Sequence, residues 1–130
     1  MTGSKFLLDT NIISALLKGD KSIADNIDKA AAVYIPTIVL GELYYGAGYS
    51  TQVQKNTSTI KKLSNRYRIL LIDEHTAIEY GELKSFLRKK GSPIPENYIW
   101  IAATALSNKL TLVSRDKHFK GVPGLKLKAW

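Results

Sequence analysis

Cysteine is missing from the 130 residues altogether, and histidine nearly so, with His75 and His118 alone. The first absence excludes disulfides, thiolate catalysis and a cysteine zinc site; the second leaves too few imidazoles for a histidine metal centre. Any metal must then be a hard ion held by oxygens. No apolar run approaches the roughly 20 residues that a membrane span needs, so no membrane contact is expected. No charged-then-apolar leader precedes Lys5, and the chain is expected in the cytoplasm. Acids are scarce against bases, 11 to 19, which leaves a net charge of +8. Such an excess favours a polyanionic partner such as nucleic acid over mere solubility, and it speaks to partners, not to fold. With 45% hydrophobic and 23% charged residues, a chain of this size reads as one globular domain over 1–130, with neither repeat nor linker.

What is present is organised around Lys5-Phe6-Leu7-Leu8-Asp9-Thr10-Asn11. A short continuous apolar run suits a strand buried on both faces, as in a parallel sheet. Asp9 would sit where that strand leaves the sheet, and ligands of open α/β sheets bind at the carboxyl ends of strands. Asp9 and Asn11 are equally good helix N-caps, so capping is the plainer reading of this stretch taken alone.

Further along, Ile12, Ile13, Leu16 and Leu17 recur at helical spacing, Gly19 breaks the pattern, and Ile23 and Ile27 resume it, giving one or two short helices to Asp28. Ala32-Val33-Tyr34-Ile35 reads as a second buried strand ended by Pro36, after which Thr37 caps a helix to about Ala47. Glu42 is the lone charge in that apolar helix, and a buried carboxylate is costly unless paired, hydrogen-bonded or metal-bound. A loop and a solvated helix with Lys55, Lys61 and Lys62 run to Asn65, and Ile69-Leu70-Leu71-Ile72 is a third buried-strand run. Thr76-Ala77-Ile78-Glu79 fits a capping box for a helix with the apolar stripe Ala77, Tyr80, Leu83 and Leu87, closed by Arg88-Lys89-Lys90 and Gly91. Asn97 caps the helix Tyr98 to Asn108, apolar nearly all round and so sandwiched in the core. Leu110-Thr111-Leu112-Val113 forms a fourth strand, Ser114-Arg115-Asp116 repeats the theme of an acid just past a buried strand, and Leu125 to Leu127 is a short last strand. Helices alternating with strands predict a mostly parallel sheet of four to five strands, covered on both faces through right-handed crossovers.

Asp9, Glu42 and Asp116 come from separate segments and converge if the strand ends do. Clustered carboxylates repel unless a cation neutralises them or they share protons. Mg2+ or Mn2+ is the natural partner, and beside nucleic acid such an ion supports metal-dependent phosphodiester hydrolysis. A receiver or flavodoxin domain is disfavoured, because no glycine-rich phosphate loop follows the first strand.

Four stretches, in this order and near these spacings, resemble a known family: Leu8-Asp9-Thr10-Asn11, Gly41-Glu42-Leu43, Trp100-Ile101-Ala102-Ala103-Thr104-Ala105-Leu106 and Ser114-Arg115-Asp116-Lys117-His118-Phe119. Together they resemble a PIN domain of the VapC toxin type over essentially the whole chain. The resemblance implies a three-layer α/β/α fold and a Mg2+- or Mn2+-dependent endoribonuclease acting on structured RNA of the tRNA or ribosomal class. It also implies a homodimer, neutralisation by a VapB-type antitoxin, and contact with operator DNA only through that antitoxin. Asp9, Glu42 and Asp116 match three acidic, metal-binding positions of the family. Thr10, Asn11 and Ser114 match its polar supporting positions, suited to hydrogen-bonding a carboxylate or a bound water.

At the fourth acidic position, three residues before Ile101, this chain carries Tyr98 instead of the expected Asp. A phenol is neutral at pH 7, a poor ligand for a hard cation, and bulkier than Asp. Glu96 lies two residues earlier, in the expected loop, and points elsewhere. Weakened metal binding and low or absent cleavage are therefore expected. A natural variant and an introduced inactivating substitution both fit a tyrosine there. The competing reading is a PIN-like module that binds RNA or an antitoxin without cutting.

Overall fold

The computed structural model describes residues 4–130. Residues 1–3, on which the expectation about a leader rests in part, lie outside the described residues. Strands β1 (Lys5–Leu8), β2 (Ala32–Pro36), β3 (Arg68–Leu70), β4 (Thr111–Val113) and β5 (Leu127–Lys128) form one sheet, and every pairing is parallel. Their order is β3-β2-β1-β4-β5. Phe6, Leu7 and Leu8 are all buried because β1 is the centre of the sheet.

Helices α1 (Thr10–Leu17) and α2 (Lys21–Lys29) link β1 to β2, α3 (Thr37–Gly48) and α4 (Val53–Arg66) link β2 to β3, and α5 (Glu74–Lys90) and α6 (Glu96–Ser107) link β3 to β4. A short 3₁₀ helix, Lys117–Gly121, precedes β5. The chain builds outward on one side of β1 and then returns past it to build the other side. With right-handed crossovers, that reversal puts α1 to α4 and α5 to α6 on opposite faces, the expected three-layer α/β/α arrangement. Helix α6 is buried nearly all round through Ile99 and the run Ile101 to Ala105, as its composition requires.

Several boundaries differ from the sequence reading, each for a local reason. Strand β3 stops at Leu70; Leu71 and Ile72 are 72% and 38% exposed, so the apolar run outlasts the strand. Thr37 does not cap α3; its hydroxyl donates to the Leu70 carbonyl at 3.0 Å and ties the helix start to the end of β3. The cap of α5 is Asp73, whose carboxylate accepts from the amide and hydroxyl of Thr76 at 2.9 and 3.1 Å. Thr76 is thus fully buried at the helix base, and the inward stripe starts there instead of at exposed Ala77. Gly91 ends α5 at φ 76°, a left-handed position that favours glycine. Helix α6 begins at Glu96, not Tyr98, with Pro95 before its first turn.

Candidate active site

The sheet order reverses between β1 and β4, and their carboxyl ends lie side by side: Leu8 pairs with Val113, and the Asp9 amide donates to the Val113 carbonyl at 3.0 Å. Helix α1 leaves in one direction and the 3₁₀ helix in the other, so a crevice opens between them, as at the switch point of any open parallel sheet. Asp9 and Asp116 stand on its two lips. Helix α3 supplies Glu42 and the first turn of α6 supplies Tyr98. Asp9, Thr10, Asn11, Glu42, Tyr98 and Asp116 all line one cavity of about 490 Å³. Ser114 lies behind the aspartates and bonds to both residues.

Both readings of Asp9 hold together. One carboxylate oxygen accepts from the Thr10 amide at 2.8 Å at the start of α1, and the other accepts from the Ser114 hydroxyl at 2.7 Å. Asp9 is only 3% exposed. Burial pushes its carboxyl above the ordinary aspartate value; the Ser114 and Thr10 bonds oppose this, and the charges of Glu42 and Asp116 reinforce it. Ser114 Oγ also accepts from the Asp116 amide at 3.0 Å and from Asn11 Nδ2 at 3.5 Å, so one hydroxyl links β4, α1 and the loop bearing Asp116. Asn11 Oδ1 accepts from the Arg115 amide at 3.3 Å, which fastens the same loop from the other end.

Glu42 accepts from the Thr10 hydroxyl at 3.0 Å and from Asn97 Nδ2 at 3.2 Å. This answers the sequence puzzle of a lone charge in an apolar helix: both its oxygens are satisfied across the crevice. The sequence predicts Asn97 as a helix cap, but Pro95 precedes the first turn. The Asn97 amide is instead engaged with Glu42, and its position beside Tyr98 was the available signal.

Tyr98 fills the place expected of a fourth acid. Its hydroxyl donates to Asp116 Oδ2 at 2.5 Å, while its ring stacks on His118 with centroids 4.6 Å apart and meets Phe119 edge-on. Asp116 Oδ1 takes the His118 amide at 2.9 Å and His118 Nδ1 at 2.5 Å. That ring contact requires the proton on Nδ1, because two acceptors would repel. The sequence alone assigns His118 no contact. The Asp116 bond, then burial and the surrounding carboxylate charges, push the Tyr98 phenol up to about 12. Burial works to raise the Asp116 carboxyl, but the bonds from Tyr98 and His118 outweigh it and hold the group below the usual aspartate value. Glu96 faces away, bonded to Lys84 and the Tyr80 hydroxyl on α5.

The donors are hard oxygens of the kind Mg2+ or Mn2+ takes. Among the described residues, however, no three His, Cys, Asp or Glu side chains form a set that could hold a metal ion. The residues present therefore do not fit the cation as they stand: Asp116 is committed to a phenol and an imidazole, and the fourth carboxylate is missing.

The PIN domain family matches residues 6–125. The chain is 35% identical to Ribonuclease VapC2 of Rickettsia felis, with 96% of this chain and 97% of that protein covered. It is 30% identical to the tRNA(fMet)-specific endonuclease VapC of Salmonella typhimurium, with coverage of 97% and 98%. Among solved structures, VapBC2 from Rickettsia felis bound to a DNA fragment from its promoter superposes with a TM-score of 0.89 at 34% identity, covering 97% of this chain and 98% of the other.

Proposed function

The chain belongs to the PIN domain family, and from that premise we propose that it is an endoribonuclease toxin of the VapC type whose cutting is impaired by Tyr98. Residues 1–130 act as one PIN-like domain. Asp9, Glu42 and Asp116 are its site acids; Thr10 and Ser114 orient Glu42 and Asp9 by direct hydrogen bonds, and Asn11 acts through the Ser114 hydroxyl and the Arg115 amide. The observation that carries the reading is the 2.5 Å bond from Tyr98 to Asp116 at the switch point of the sheet. It occupies a carboxylate oxygen that a cation would need. Mg2+ or Mn2+ is the cofactor this oxygen set takes once the fourth carboxylate is restored.

The substrate is RNA of the tRNA or ribosomal class, as the net charge of +8 and the Salmonella relative's name support. The partner is a VapB-type antitoxin, by analogy with the VapBC2 complex from Rickettsia. A separate cavity of about 480 Å³ between α1, α2 and α4 is lined by Leu16, Ile27, Leu63 and Tyr67, with Lys62 and Arg66 outnumbering the single acid Asp28 beside them, and suits an amphipathic segment of that antitoxin. Operator DNA is met only through the antitoxin. Tyr45 and Tyr49, 71% and 83% exposed at the end of α3, supply aromatic surface for a homodimer. Among the described residues no helix is long and apolar enough to cross a membrane, and the cytoplasm is the compartment we assign.

Substituting Tyr98→Asp tests the reading. The variant is expected to gain Mg2+-dependent cleavage of a structured RNA over the parent; an unchanged rate would sink it. The second reading, a PIN-like module that binds without cutting, is favoured by Tyr98 itself and predicts RNA binding that EDTA leaves unaltered in both proteins.

A further inference from the structure

The crevice does not end at the acids. A second cavity of about 650 Å³ shares Thr10, Ser14, Lys18 and Glu42 with the first and continues between α1 and α3 to α4, where Lys55 lines its far end. Lys18 stands at the junction of the two. Of all the side chains lining both cavities, Lys18 and Lys55 are the cations. Both are exposed, and among the described residues neither has an ion-pair partner, whereas Lys21, Lys84 and Arg115 do.

We propose that this corridor carries the RNA strand flanking the linkage held at the acids, with Lys18 and Lys55 each contacting a backbone phosphate. The inference rests on the ribonuclease reading and deepens it. Asp9, Glu42 and Asp116 repel a polyanion, so a phosphodiester reaches them only if nearby cations hold the strand on either side of the repulsion. Lys18 is close enough to the acids to line the same cavity, and Lys55 lies further along the same path. Both are flexible point charges, which suits sequence-independent phosphate contact. Ser14 on α1 and Asn56 on α4 line the same cavity; the Ser14 hydroxyl and the second amide hydrogen of Asn56, whose first goes to Ser50, are polar groups for phosphate or sugar. Asp9 is only 3% exposed, and a flexible unpaired strand moulds itself to such a recessed group more readily than a rigid duplex does. An acidic protein segment is the competing occupant.

The test is fluorescence anisotropy of a labelled unpaired oligoribonucleotide in EDTA across a salt series, with Lys18→Gln, Lys55→Gln, the double variant, and Lys29→Gln on α2 as a control outside both cavities. Circular dichroism confirms that the variants fold. Lys18→Gln and Lys55→Gln should each weaken binding about fivefold at low salt, whatever the base sequence, and flatten the slope of log K against log salt by about 0.7, the double variant by twice that. Variants indistinguishable from Lys29→Gln, in a parent that does bind RNA, would overturn the corridor and leave the ribonuclease reading standing. A parent that binds no RNA would overturn both.

Discussion

Replacing Tyr98 with phenylalanine removes one hydroxyl and leaves the ring stacked on His118 and against Phe119, so the change isolates the bond to Asp116. Lifting a phenol from 10.0 to about 12 corresponds to about 2.7 kcal/mol at roughly 1.36 kcal/mol per pH unit. Water screens both partners at the crevice mouth, which cuts this to about 1 kcal/mol, or about 4 °C in Tm for a domain of this size. The pH dependence has two arms. Tyr98 is raised in the folded state, so its contribution is complete below pH 10 and is lost as pH climbs towards 12. Asp116 is lowered, so its contribution is complete above its ordinary 3.8 and is lost as pH falls through its folded value. Urea unfolding of parent and Tyr98→Phe should therefore differ by a constant gap across neutral pH that closes towards both extremes. A gap that stays constant from pH 7 to pH 12, or no gap at pH 7, would refute this account of the bond.

Ser114→Ala takes the 2.7 Å bond from buried Asp9 and should cost about 2 kcal/mol at pH 7 by chemical denaturation. Because Ser114 favours the ionised form of Asp9, the cost should shrink as the pH falls and Asp9 takes up its proton; a pH-independent cost would count against it. Asp73→Ala removes the α5 cap, whose carboxyl is held below its usual value by the Thr76 amide. The variant should melt lower at pH 7, the difference fading as pH falls through the folded value, while RNA binding stays unchanged; a binding defect would mean the helix start is coupled to the crevice.

The strands expected at Phe6 to Leu8, Ala32 to Ile35 and Leu110 to Val113 were legible because strands of a covered parallel sheet leave near-continuous apolar runs, while the fourth starts one residue later, at Thr111, and the last pairs at Leu127–Lys128 instead of Leu125 to Leu127. The same signal overran at Leu71 and Ile72, since apolarity alone does not mark where pairing stops. The acids at Asp9 and Asp116 could be found from strand ends, and Glu42 from its isolation in an apolar helix. Asn97 and His118 escaped because their roles are set by neighbours remote in sequence: Glu42 is 55 residues from Asn97, and the stack on Tyr98 exists only once the 3₁₀ helix folds against α6. Thr76 looked like a cap by spacing, but Asp73 three residues earlier is the better acceptor and leaves Thr76 free to be buried.

The claim that Asp9, Glu42 and Asp116 form a cation site which Tyr98 disables is met most directly by Mn2+. Crystals of the parent and of Tyr98→Asp, soaked side by side, should give an anomalous peak among the three acids in the variant and little or none in the parent. A full peak in the parent, or none in the variant at saturating Mn2+, would contradict it.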